Sequence, residues 1–553
     1  MSLKIRFFCL VTSALGAGFL SAQTSSPPAQ EAGKKPPPLF SNLGDYHRRI
    51  SSRSPEAQRY FDQGLRLVYG FNHEEAFRAF EHAASLDPAC GICFWGMALV
   101  QGPNINLPAI PERAAIGYTA ERSALERAAS ASPVERALIE ALSNRYAKAP
   151  PADPKGQKAL DTAYANAMRK VAARFPSDPD VATLFAESLM DLRPWDLWTH
   201  SGVPQPGTRE ILSQLERILG THPSHPGANH YYVHAIEASP RPERGLASAR
   251  RLESMMPGAG HLVHMPAHIY MRTGRYEDAA AANRRAIVSD ARYSEEAGPR
   301  DIYQMYIAHN HQFLWAAAMM EGRSAEALEA ARNTVAAAPV EMLRAMPGFD
   351  ILLTYPILTL ARFGRWEAAL QEPAPPPDFP FANAMRHYAR GIAFASTDRL
   401  DEAGGESREL DRLAATVPAD ARESLNSAGA LLGIARRALE ARIAARQGRT
   451  EDAVRDLTAA AEQEDALSYA EPPDWHSPVR QALGALLLNA GDARRAERVY
   501  REDLRRNPEN GWALFGLAKS LEAQKKTTSA GEARRRFEAA WSRADVRLDA
   551  SDF

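Results

Sequence analysis

AQRYFDQGLRLVYGFNHEEAFRAFEHAASLDP, residues 57–88, decides the fold. With Pro88 at position 32 of a 34-residue unit, Gly64 falls at 8, Leu67 at 11, Ala76 at 20, Phe80 at 24 and Ala83 at 27. Small residues stand where two helices would touch, and bulky ones fill the space between them. Six agreements in one frame predict a helix, a turn and a second helix packed on the first.

The pattern recurs, and a fixed period of this size is the signature of a repeat array. Gly274-Arg275-Tyr276 is an inter-helix turn, followed by Ala279 and Ala286 at positions 20 and 27. Similar turns stand at Gly322-Arg323, Gly364-Arg365-Trp366, Asp398-Arg399-Leu400 and Gly448-Arg449. A late unit runs from about Ser477 to Pro508 with Gly484, Ala496 and Tyr500, and a partial one follows with Trp512, Gly516 and Leu517. Over roughly residues 50–545 the chain resembles the tetratricopeptide-repeat superfamily, and most of all its secreted bacterial members. The resemblance implies an all-α, right-handed α-solenoid of nine to twelve helix pairs, its inner wall formed by the first helix of each pair. A closed α/α toroid is the alternative.

The 553 residues exceed one core, and 45% hydrophobic with 24% charged residues describes a globular chain. The net charge of −1 argues against nucleic-acid binding driven by net positive charge. Three cysteines exclude a disulfide-stapled scaffold.

Lys4 and Arg6 precede an apolar run from Phe7 to Leu20, then Ser21 and Ala22. This is the layout of a secretory signal peptide over residues 1–22, and the run is too short to span a bilayer. Cys9 lacks a lipobox. Export would place the protein in the periplasm or outside the cell, with no membrane span left after cleavage. Residues 23–40 read as a Pro-rich flexible linker, 41–545 as the solenoid with C-terminal units at about 424–545, and 546–553 as a tail.

Nine of the fifteen histidines fall between His222 and His311. In the frame ending at Pro257, His230, His234 and Glu237 take positions 5, 9 and 12. In the next unit His261, His264 and His268 take 2, 5 and 9. The offset from His230 to His264, and from His234 to His268, is one 34-residue repeat. Each set shares one helix face by spacing alone. The resemblance adds that these positions face the concave groove, at about residues 180–315. Aligning the Gly322 turn with the Gly274 turn maps His309 onto position 2, the place of His261.

Imidazoles converging from neighbouring helices suit a transition metal, here Zn, Cu or Fe. The expected ligands are His230, His234, His264 and His268, with Glu237 and His261 as ligands or orienting groups and His309 as a further ligand. Glu187, Asp191, Asn229, Asn310 and His311 are expected around the groove, with Tyr303 and Tyr306 nearby. Pro266 kinks this helix or sits in its first turn. His264-Met265 is not a zincin motif, because Glu is absent after the histidine. His222 and His225 read as turn residues, and His73 as a helix cap.

Cys90 and Cys93 read first as a local disulfide; Phe94 rules out haem attachment, and no second pair completes a zinc site. The segment from Gln101 to Asn106 breaks a helix. Glu471, Trp475 and His476 would close a groove entrance or cover an apolar edge. Three functions follow: a metal-binding protein, a metal-dependent hydrolase or oxidoreductase, or a metal-free scaffold holding a peptide or protein in its groove.

Overall fold

The computed structural model describes residues 36–298 and 302–552. The signal-peptide segment and residues 23–35 of the linker lie outside the described residues. The remainder is all-α, its only strand pairing a two-residue ladder at Arg422–Glu423 and Asn426–Ser427 among the described residues.

The opening helix, Pro55–Tyr69, starts where Ser54 accepts a hydrogen bond from the Ala57 N–H and Pro55 supplies a preset φ. Its hairpin partner, His73–Leu86, starts at Asn72, whose side chain accepts from the Glu75 N–H. Asn72 is therefore the cap, and His73, expected to cap, is the first helical residue. The shorter Asn side chain reaches its own N3 amide.

Phe80 of the second helix lies between Gly64 and Gly96. A Cβ on either glycine would stand 2.6 or 2.5 Å from the ring. Tyr500 lies in the same way between Gly484 and Gly516, with clearances of 2.3 and 2.1 Å. Both ends of the array thus use one device: an aromatic ring wedged against two bare helix backbones, each burial contributing about 1.5–3 kcal/mol.

Twenty-six α-helices occur among the described residues. With the bent helix Gly260–Arg272 counted once and the short Val340–Ala345 taken as a connector, they form twelve hairpins, the top of the expected range. The turns reverse through left-handed backbone at Gly274, Gly322, Gly364, Gly448 and Gly491.

The array curls until distant units meet. Tyr276 donates to the Pro508 carbonyl at 2.9 Å, and the Trp512 indole N–H to that of Met319 at 2.9 Å. Asp545 accepts from the Ser324 and Ala325 N–H groups at 2.7 and 2.9 Å. At the other end, Tyr60 and Gln63 hold the Pro37 and Pro38 carbonyls, and Phe40 rests on Tyr293. Residues 36–40 are therefore docked, not a free tether. The expected tail is docked too: Leu548 is buried and Ser551 donates to the Gln481 carbonyl. No described helix is long and apolar enough to cross a membrane.

Candidate metal centre

Three first helices carry the histidines: Pro226–Ile236, the bent pair Gly260–His264 and Pro266–Arg272, and Tyr303–Met320. Pro226 starts the first of these, with His225 as its cap. Pro266 does not end the second. Met265 stays helical (φ −50, ψ −34), so Pro266 bends the helix while His264 and His268 remain on one face.

His230, His234, His261, His264 and His268 are at most 4% exposed. The expected open groove is thus a closed interior, because the curl fills it from both ends of the chain. From the N-terminal unit come Tyr69 and Phe71. From the loop after Asp465 comes Tyr469, whose hydroxyl donates to Glu237 Oε2 at 3.2 Å and also contacts Glu471.

The imidazoles fall into two groups of three, His230/His234/His261 and His264/His268/His309, each with candidate ligand atoms within 4.8 Å of one another. Five of the six rings have Nδ1 on an oxygen acceptor. His230 donates to the Tyr69 carbonyl at 2.7 Å and His234 to Glu237 Oε1 at 2.9 Å. His264 donates to Asn283 Oδ1 at 2.7 Å, His268 to Glu237 Oε2 at 2.6 Å and His309 to Gln312 Oε1 at 2.9 Å. Asn283 gives its own amide hydrogen to the Ala279 carbonyl, which fixes its oxygen toward His264. Each of these rings is thereby held with Nε2 as a lone pair, the arrangement typical of metal-ligating histidine.

The inward nitrogens face one another. His264 and His268 bring their Nε2 atoms to 2.8 Å, and His230 and His261 theirs to 3.1 Å. His234 Nε2 and His261 Nδ1 are buried without a partner. An orphaned buried polar atom costs about 1–3 kcal/mol. Nitrogens bound to one ion at about 2.0–2.1 Å would stand about 2.9–3.4 Å apart.

Burial, then the neighbouring imidazoles, hold His230, His261 and His264 well below the usual histidine pKa. Burial, ahead of His268, brings His309 down to about 4. Burial pushes His268 down too, but the Glu237 carboxylate outweighs it and leaves the group raised. Glu237 is lowered to about 2, burial being outweighed by His268 and His234. Apart from His268, the interior therefore favours neutral imidazole, the form that binds metals.

Other expected residues lie elsewhere. Asp191 pairs with Arg145 at 2.5 Å, and Glu187 stands beside it, so this carboxylate pair serves a buried arginine and not the histidines. Asn229 donates to the Pro223 and His225 carbonyls and holds the approach to its helix. Asn310 donates to Asp290 at 2.6 Å, and half-buried His311 lies about 200° around the helix from His309. Glu237 has both oxygens on Nδ1 hydrogens, so it orients rings. Tyr306 packs on His261. Tyr303 donates to Asp290. Trp475 and His476 cover Tyr388, apart from the cluster, and Cys90 is disulfide-bonded to Cys93.

Sequence reasoning missed Phe71, Phe313, Trp195, Asn283, Tyr69 and Tyr469. Phe71 carried a readable signal. It holds φ 54 at the inter-helix turn, where five other hairpins place glycine and two place Asp398 and Lys525. Left-handed backbone costs an aromatic residue about 1–2 kcal/mol. The Phe71 ring packs on His230, centroids 4.5 Å apart.

The wedged rings at both ends, and histidines recurring at equivalent positions of consecutive hairpins, decide the fold. The chain is an α-solenoid of hairpins that resemble tetratricopeptide repeats. No family model matches this chain, and no curated protein matches it. Among solved structures it is similar to the human IFIT1 dimer with PPP-AAAA, at 10% identity over 88% of this chain and 91% of that one, TM-score 0.32. Yeast Tom70 is similar at 11% identity over 87% and 96%, TM-score 0.33. The APC/C hetero-tetramer Cut9–Hcn1 is similar at 13% identity over 86% and 78%, TM-score 0.29.

Proposed function

We propose that this tetratricopeptide-repeat protein is exported and binds a transition metal, Zn, Cu or Fe, in its histidine cluster. One observation carries the reading. His264 and His268 have both spent their Nδ1 hydrogens on oxygen acceptors, yet their Nε2 atoms stand 2.8 Å apart. Two lone pairs at that distance repel unless a cation lies between them. A proton on His268 would answer one contact, but it leaves His234 Nε2 unpartnered. A metal ion satisfies several nitrogens at once, and neutral imidazole suits Zn, Cu and Fe.

Residues His230, His234, His261, His264, His268 and His309 would supply nitrogens. Glu237, Asn283, Gln312 and the Tyr69 carbonyl would fix their tautomers. The Cys90–Cys93 disulfide supports an oxidising compartment. The scaffold alternative, a peptide lying along the histidine face, draws no support from a face this buried. A metalloenzyme reading draws support from three-imidazole groups, since catalytic sites keep one coordination position open.

The test is elemental analysis of mature, untagged protein beside the His230→Ala/His264→Ala variant. Metal in the first and loss in the second is expected. A wild-type protein that also refuses Zn, Cu and Fe at micromolar concentration would sink the proposal.

A further inference from the structure

The six imidazoles are two copies of one arrangement, displaced by a single repeat. His230 and His234 occupy positions 5 and 9 of one hairpin, and His261 position 2 of the next. His264 and His268 occupy positions 5 and 9 of that next hairpin, and His309 the position-2 place of the one after. Advancing the first triad by one hairpin produces the second.

The packing repeats as well. Phe71 lies against all three rings of the first triad, at centroid distances of 4.5, 6.1 and 5.6 Å. Phe313 lies against all three of the second, at 4.6, 4.7 and 5.0 Å. Each triad contains one close Nε2 pair. Glu237 stands between them, one oxygen on His234 and the other on His268.

We infer that the cluster is a dinuclear centre holding two late first-row ions, copper or zinc, one in each triad. This rests on the metal-binding reading above and goes further in fixing number and placement. A single ion cannot take all six imidazoles, and in the third close group, His234/Glu237/His268, both carboxylate oxygens already hold Nδ1 hydrogens. Six imidazoles around one ion would demand octahedral coordination, whereas copper and zinc on imidazole take fewer ligands. An ion in the first triad alone would leave the His264–His268 Nε2 contact unanswered, and one in the second alone would leave His234 Nε2 without a partner. Three nitrogens per ion leave a coordination position open on each. The shared carboxylate offsets part of the charge and ties the orientation of one ring in each triad to the other.

The test is anaerobic titration of the full, untagged protein with Cu(I) against a competing chromophoric chelator, and separately with Zn(II). It is run beside His230→Gln/His261→Gln and His264→Gln/His309→Gln. Two equivalents of either metal in the wild type, and one in each variant, is the expected result. One equivalent in the wild type would overturn the dinuclear centre and leave the metal-binding reading standing. No uptake of either would overturn both. Two equivalents that either variant keeps, or loses together, would overturn the assignment of one ion per triad. If a variant fails to fold, the wild-type stoichiometry still decides between two, one and none.

Discussion

The Nε2 atoms of His264 and His268 stand 2.8 Å apart, and each ring has its Nδ1 hydrogen on an oxygen of another residue. They are four positions apart, with the Pro266 bend between. The contact is thus built by local helix geometry, and its chemistry is set by Asn283 and Glu237 outside it.

Glu237→Gln tests that outer set. An amide presents one acceptor oxygen and one N–H group, so it cannot receive Nδ1 hydrogens from both His234 and His268. Metal affinity should fall about 10–100-fold, read by competition titration, with little change in helical circular dichroism. Unchanged affinity would mean that the carboxylate does not orient the rings.

Gly227→Ala tests the seam between the first hairpin and the His230 helix. A Cβ there would stand 2.3 Å from the Tyr69 ring. Overpacking of this kind costs about 1–3 kcal/mol, and it should pull the Tyr69 carbonyl off His230 Nδ1. Urea denaturation and metal titration should both register the loss.

Phe71→Gly separates strain from packing. Relief of left-handed backbone returns about 1–2 kcal/mol. Loss of the buried ring costs about 3–5 kcal/mol. The variant should be less stable by about 2 kcal/mol and should bind metal more weakly in the first triad. A more stable variant would show that the ring contributes little packing.

Asp180 gives a pH signature away from the histidine cluster. It accepts from Tyr46 at 2.7 Å, Arg48 at 2.7 Å and His225 at 3.2 Å, and also contacts Tyr69. Burial alone would raise its pKa, but His225 and Arg48 outweigh burial and hold it well below the usual carboxylate range. A carboxyl lowered in the fold contributes stability that is full above its unfolded value and lost as pH falls toward the folded one. Denaturation midpoints should therefore drop below about pH 4. Asp180→Asn should lose about 3 kcal/mol at neutral pH and show a shallower acid slope.

Much of this could be read from spacing. The 34-residue unit that aligns His230 with His264 also puts Gly64 and Gly484 at position 8 and Phe80 and Tyr500 at position 24, so hairpins and histidine faces emerge together. Glu187 and Asp191 show where the reading stops. Their spacing matches a ligand pair, yet Arg145, 46 residues before Asp191, claims that carboxylate. Tyr69 and Tyr469 were illegible for a related reason. They reach His230 and Glu237 across 161 and 232 residues, through a curl set by small rotations summed over many hairpins. No local pattern encodes that sum. The same curl turned an expected open groove into a sealed interior.

X-ray absorption at the edge of the bound metal tests the central claim most directly. The account predicts about three nitrogen scatterers per ion at about 2.0–2.1 Å, with the outer-shell signature of imidazole rings, reduced in His264→Ala/His268→Ala. An oxygen-only shell, or a spectrum unchanged in that variant, would contradict it.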